Sequence, residues 1–193
     1  HQYPHPVTLL LFQSGGLDDQ KDIARVKLVK FLIREGVDVN AADSEGATPF
    51  WWCAARGHPE LCEKLVDQGA NPRVARKTDG LTALHMAAQY GSKECCRYLI
   101  EDCGLDVNAL TTDDHPVTAL GLAAGKGYLE VCKYLLGKGA RFDAGLDPLI
   151  IAAQVYPLFY NISQNGHLKV CKYLLGQGAD PIKIESDGQS ALY

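Results

Sequence analysis

A chain of 193 residues, 47% hydrophobic and 22% charged, has the make-up of an ordinary soluble globular protein and enough material for one core. Its formal net charge of -4 argues against a nucleic-acid partner, which calls for a basic face to displace counterions from phosphates. No apolar run approaches the roughly 18 residues of a membrane span, and "VTLLLF" at 7 to 12 lacks the basic flank and cleavage site of an export signal.

The elements repeat. A first short helix is expected after Thr8 in "HPVTLLLFQ", and its equivalents follow Thr48 in "EGATPFWWCAARGH", Thr82 in "DGLTALHMAAQYGS", Thr118 in "HPVTALGLAAGKGY" and Asp147 in "LDPLIIAAQ". Ser190 in "DGQSALY" opens one more. Each of these residues can accept a hydrogen bond from the free amides of a first helical turn, and Pro49 and Pro148 suit the position that needs no amide. After each short helix comes an amphipathic one: "VKLVKFLIREGVDVN", "PELCEKLVDQGANPR", "KECCRYLIEDCGLDVN", "LEVCKYLLGKGARFD" and "LKVCKYLLGQGADPI". Gly36, Gly69, Gly104, Gly139 and Gly178 close them where a left-handed C-cap is wanted.

The pattern T-P-L-H-x-A-A-x-x-G-H, followed by an apolar helix and G-A-D-V-N, resembles the ankyrin repeat along nearly the whole chain. The resemblance implies an all-α solenoid of stacked helix-turn-helix units with projecting β-hairpin loops, in a single array over 1-193. Its repeats fall at about 5-40, 41-74, 75-110, 111-143 and 144-183, and a further one starts at 184-193. Two departures from the period are local. "SGGLDDQ" is inserted between the helices of the first repeat, and residues 155 to 164, inside "AAQVYPLFYNISQNGH", are inserted at the same point of the last complete one. The loop between Asp143 and Asp147 is short, which predicts a notch in the row of fingers. Polar caps usually end such arrays; "TLLLF" and "SALY" are apolar, so the chain is expected to be part of a longer one.

The seven cysteines contain no C-x-x-C pair, so neither a zinc site nor a disulfide framework is expected, and a reducing compartment, cytoplasm or nucleus, follows. Cys62, Cys96, Cys132 and Cys171 share one column with Val29, and stacked helices about 8 to 10 Å apart keep a column from converging on one metal ion. They are expected to be small buried residues at repeat interfaces, as is Cys53, with Cys95 on an adjacent apolar position and Cys103 the most exposed. His85 occupies the motif histidine, which the resemblance makes a brace for the turn; His58 and His167 lie in the G-H turn. Asn40 and Asn108 resemble asparagines that a hydroxylase can modify in ankyrin proteins, and "NIS" at 161 to 163 is a chance glycosylation match. No catalytic triad, phosphate loop or carboxylate pair is visible, so no enzyme activity, metal or cofactor is expected.

The resemblance implies that a partner protein sits in the concave groove and on the finger tips. The candidate residues are Trp52, Arg56, Met86, Tyr90 and Lys126 along the first helices, and Glu45, Asp79, Leu81 and His115 at the tips. Trp52, Met86 and Tyr90 would make an aromatic and apolar floor. The alternative for Trp51 and Trp52 is that they fill the gap beside the first inserted loop. Within the second insertion, Pro157 stops the helix from running on, and Tyr156, Phe159 and Tyr160 either pack on neighbouring repeats or form a lip for the partner. Three functions remain open: a non-catalytic protein-interaction module, a regulatory or targeting arm of a larger enzyme or channel, and an architectural subunit of a large assembly.

Overall fold

A computed structural model describes residues 19–153 and 167–180. In chain order the helices are α1 (Asp19–Arg34), α2 (Pro49–Arg56), α3 (Pro59–Asp67), α4 (Ala83–Gln89), α5 (Lys93–Glu101), α6 (Ala119–Gly125), α7 (Leu129–Gly137), α8 (Pro148–Ala153) and α9 (Leu168–Gly176). The expected helix after Thr8, the residue Ser190 and the aromatic insertion lie outside the described residues.

Caps set the registers. The Thr48, Thr82 and Thr118 hydroxyls accept from the backbone N–H of Trp51, His85 and Gly121 at 3.4, 3.5 and 3.2 Å. Asp147 Oδ1 accepts from Leu149 N at 2.8 Å. Each such cap contributes about 1 kcal/mol to its helix. The expected C-terminal glycines all have positive φ, from 63° at Gly104 to 94° at Gly178, which turns the chain out of the second helix and into the next finger.

The first repeat differs from the expectation. Its second helix begins at Asp19, so the end of "SGGLDDQ" is the first turn of a 16-residue helix rather than connecting loop, while the other second helices have nine residues. Gln, Lys and Ala are good helix formers, no Gly or Pro interrupts them, and Asp19 and Asp22 suit the first turn, so the helix propagates backwards into the insertion.

Helices α2, α4, α6 and α8 stack in order, and α1, α3, α5, α7 and α9 stack beside them. One apolar core runs through the seams. Leu65, Leu99, Leu135 and Leu174, one from each successive second helix, are all 0% exposed, and each buried leucine is worth about 1.5 to 3 kcal/mol. Turn glycines allow close approach between repeats: a side chain at Gly91 would strike the Tyr128 ring at 2.7 Å, and one at Gly57 would meet Ser92 Oγ at 3.1 Å.

The fingers are hairpins of minimal length. One antiparallel bridge pairs Ala75 with Thr82, and the neighbouring fingers close through Asp43 N to Ala47 O at 2.9 Å and Thr111 N to Val117 O at 3.1 Å. Each finger is tied to the next by a backbone bond: Lys77 N to Glu45 O at 2.9 Å, Thr112 N to Asp79 O at 2.7 Å, and Leu146 N to Pro116 O at 2.8 Å. The short loop after Asp143 keeps its tie because Gly145, at φ 71°, lies flat against the Pro116 carbonyl.

Candidate groove and finger face

Trp51 stands where the motif has its histidine, and it takes over that residue's bond. His85 fills the pocket behind its own helix: Nδ1 accepts from Thr82 N at 3.2 Å and Nε2 donates to Ala109 O, in the next finger, at 3.0 Å. At the equivalent place the Trp51 indole Nε1–H donates to Leu81 O, also in the next finger, at 3.0 Å. Trp51 is 1% exposed and packs with Ala47, Ala55 and Met86. It is therefore a brace between the second and third repeats; residues 14–18 of the first repeat's insertion lie outside the described residues.

Arg76 covers the other side of that indole, its guanidinium carbon 5.3 Å from the ring centroid. The same guanidinium grips both oxygens of Asp79, with Nε to Oδ1 at 3.0 Å, and reaches Glu45 Oε2 at 3.3 Å. The bond from Arg76 holds the Asp79 carboxyl below its ordinary range, and the bond to Asp79 raises Arg76. Sequence reasoning missed Arg76. Its signal was an Arg three residues before Asp79 in one finger with Glu45 at the tip before it, a spacing that reads as an ion pair.

The expected groove residues separate into three groups. Glu45 and Asp79 are at the finger edge, as expected, but there they pair with Arg76. Met86, 4% exposed, lies under Trp51 and Ala55, and Leu81 packs half-buried on that same cluster, so both support the floor from beneath. Tyr90 is 59% exposed at the C-cap of α4, His115 is exposed, and Trp52, Arg56 and Lys126 are half-buried along the first helices. The Trp52 ring stands edge-on to Trp51 at 4.8 Å and 77°, and its Nε1 donates to Asp43 Oδ2 at 3.5 Å. Tyr156, Phe159 and Tyr160 fall outside the described residues.

His85 and five of the seven cysteines lie buried in the core. Burial lowers His85 and occupies both of its ring nitrogens, and it pushes the Cys96 and Cys132 thiols up to about 12. Cys103, as expected, is half-buried; Cys171 is half-buried too, unlike the buried Cys62, Cys96 and Cys132 whose column it shares, and all seven cysteines are free. Among the described residues no group of three or more His, Cys, Asp or Glu is placed to hold a metal, and no helix is long and apolar enough to cross a membrane. What the face offers is shape, aromatic area and fixed charge.

The family described as "Ankyrin repeats (3 copies)" matches residues 22–111 and 105–183. Among curated proteins, the chain is 35% identical over 80 residues to the RelA-associated inhibitor of Mus musculus, covering 40% of this chain and 10% of that protein. It is 37% identical over 82 residues to mouse Ankyrin repeat and SAM domain-containing protein 6, covering 42% of this chain and 9% of that one. A probable E3 ubiquitin-protein ligase, XBOS33 of Oryza sativa subsp. japonica, is 34% identical over 92 residues, covering 46% and 18%. In each case the chain matches a small part of a much longer protein.

Proposed function

Because the chain belongs to the ankyrin-repeat family, whose members are generally non-catalytic protein-interaction modules, we propose that it holds a partner protein against the face carrying Trp52, Arg56, Tyr90 and Lys126, with His115 at the finger edge. The observation that carries this reading is Tyr90. A large aromatic side chain 59% exposed at the C-cap of a first helix, in an array whose other first helices carry half-buried Trp52, Arg56 and Lys126, has the composition of an interface hot spot. The floor beneath is stiff, since Trp51, Met86 and the Arg76 ion pairs fix it, so little ordering is lost when a partner docks. Free thiols throughout suit the cytoplasm or nucleus.

The test compares proteins retained from a matched lysate by the wild-type chain, by Tyr90→Ala with Trp52→Ala, and by Arg97→Ala with Lys133→Ala on the second helices, each checked by circular dichroism. Loss of the main partner in the first pair alone supports the reading. Loss only in the second pair assigns binding to the opposite face.

A second reading, a regulatory or targeting arm within a longer protein, is favoured by the small share of each relative that the chain spans. It places the activity elsewhere and leaves the groove's role unchanged.

A further inference from the structure

The first helices carry charge of one sign. Residues 48–57, 82–91 and 118–127, from each capping threonine to its turn glycine, contain the cations Arg56 and Lys126 and no Asp or Glu, and residues 148–157 add no acid. The whole chain has 23 acidic residues against 19 basic ones, so this is a local reversal. Arg56, Tyr90 and Lys126 occupy one column, each eight residues after Thr48, Thr82 or Thr118 and each at the C-terminal end of its helix.

Contacts between successive turns hold this row in register. Gly57 lies against Ser92, Gly91 against the Tyr128 ring, and Gly127 against the His167 ring, whose Nε2 donates to Gly125 O at 3.1 Å. Because Gly91 follows Tyr90, the Tyr128 ring, 38% exposed, adds a second aromatic surface to the row. The acids that open the second helices beyond these turns are Glu60, Glu94 and Glu130. Glu60 is drawn to Lys30 at 4.0 Å and Glu130 to Lys133 at 2.7 Å, both cations of the second-helix layer. At the fingers, by contrast, Asp113 and Asp114 are exposed beside His115. The face is therefore polarised, basic along the helix ends and acidic at that tip.

We propose that the partner lays an extended acidic segment along this row, with carboxylates on Arg56 and Lys126 and an apolar side chain against Tyr90 and Tyr128. This rests on the interaction face proposed above and names the chemistry of its occupant. Stacked helices about 8 to 10 Å apart put Arg56 and Lys126, two repeats apart, about 16 to 20 Å from each other. An extended chain advances about 3.3 Å per residue and alternates its faces, so carboxylates about six residues apart reach both cations from one side. The residues between them bring one side chain over the tyrosines. A basic segment would meet repulsion at both ends of the row.

The experiment selects a random peptide library, displayed on phage, against the native chain at about 50 mM salt, where exposed charges are little screened. Binders lost on Tyr90→Ala with Trp52→Ala are sequenced, and the best is synthesised. They are expected to carry Asp or Glu about six residues apart. Arg56→Gln with Lys126→Gln should weaken the synthetic peptide about five- to tenfold, as should changing its acids to Gln. Lys64→Gln with Lys169→Gln, the same loss of charge on the second helices, should leave its affinity unchanged. Thermal melts accompany each pair, because a cation at a helix C-terminus also answers the end carbonyls. Tyr90-dependent binders that are uncharged or basic, or equal weakening by the two charge-removing pairs, overturn the acidic assignment and leave the face standing. A selection that yields only binders indifferent to Tyr90 and Trp52 removes the face and this proposal together.

Discussion

The indole Nε1–H of Trp51 and the carbonyl of Leu81 meet at 3.0 Å across the second and third repeats, in the place where His85 meets Ala109 one repeat later. A tryptophan can stand in for histidine here because both present a ring N–H at the end of a rigid plane. The larger ring also draws Arg76 over its face and Met86 beneath it.

Replacing Trp51 separates these contributions. Trp51→Phe keeps most of the packing but leaves Leu81 O with only the bond from Arg76 N, and should cost about 1 kcal/mol. Trp51→Ala also empties the pocket and should cost about 3 to 5 kcal/mol. Urea titration followed by circular dichroism measures both, and equal losses would mean that packing is not what Trp51 supplies.

His85 makes stability depend on pH with a definite sign. Its Nδ1 accepts from Thr82 N, so a proton there would face a donor, and burial already lowers its pKa below the ordinary 6.5. The unfolded chain therefore takes up the proton first. The contribution is complete above about pH 6.5 and is lost as pH falls through that value towards the folded pKa. Melting temperatures of wild type and His85→Gln between pH 5 and 7.5 should converge at the acid end; parallel curves would refute the assignment.

Gly145→Ala should destabilise the short finger by more than about 1 kcal/mol. Its φ of 71° suits glycine, and a methyl group there would strike the Pro116 carbonyl and the Leu110 side chain. Gly137→Ala is the control, since a methyl group there meets nothing within 4 Å. If the two variants melt alike, the finger has room that the packing does not show.

Tyr90→Ala should change stability by no more than about 0.5 kcal/mol, as expected of a surface side chain, while weakening partner binding. Denaturation midpoints and retention assays on the same preparation decide between a recognition residue and a structural one.

Local rules made the caps and turns readable. Thr48, Thr82 and Thr118 cap with their own side chains, and glycine at 36, 69, 104, 139 and 178 is the residue least opposed to a positive φ. The beginning of α1 was less readable because nothing in "SGGLDDQ" after its glycines forbids helix, and a period borrowed from neighbouring repeats cannot see an extension. Depth along the expected floor was not legible: Met86 and Tyr90 sit four residues apart, yet Met86 packs against the Trp51 ring of the preceding repeat and is buried while Tyr90 is exposed. That is a tertiary contact between residues 35 apart, invisible to a helical period.

The ties between fingers, one backbone bond at each of three junctions, bear on how the groove can yield. A wedge entering between two tips strains the ties at that junction, the backbone bond and, at the first, the Arg76–Glu45 ion pair as well, because the neighbouring bonds join different pairs. The helices below are held by buried leucines that this displacement does not touch. The rim thus has the mechanics of a row of separately latched slats over a stiff board: it opens one slat at a time while the board stays flat.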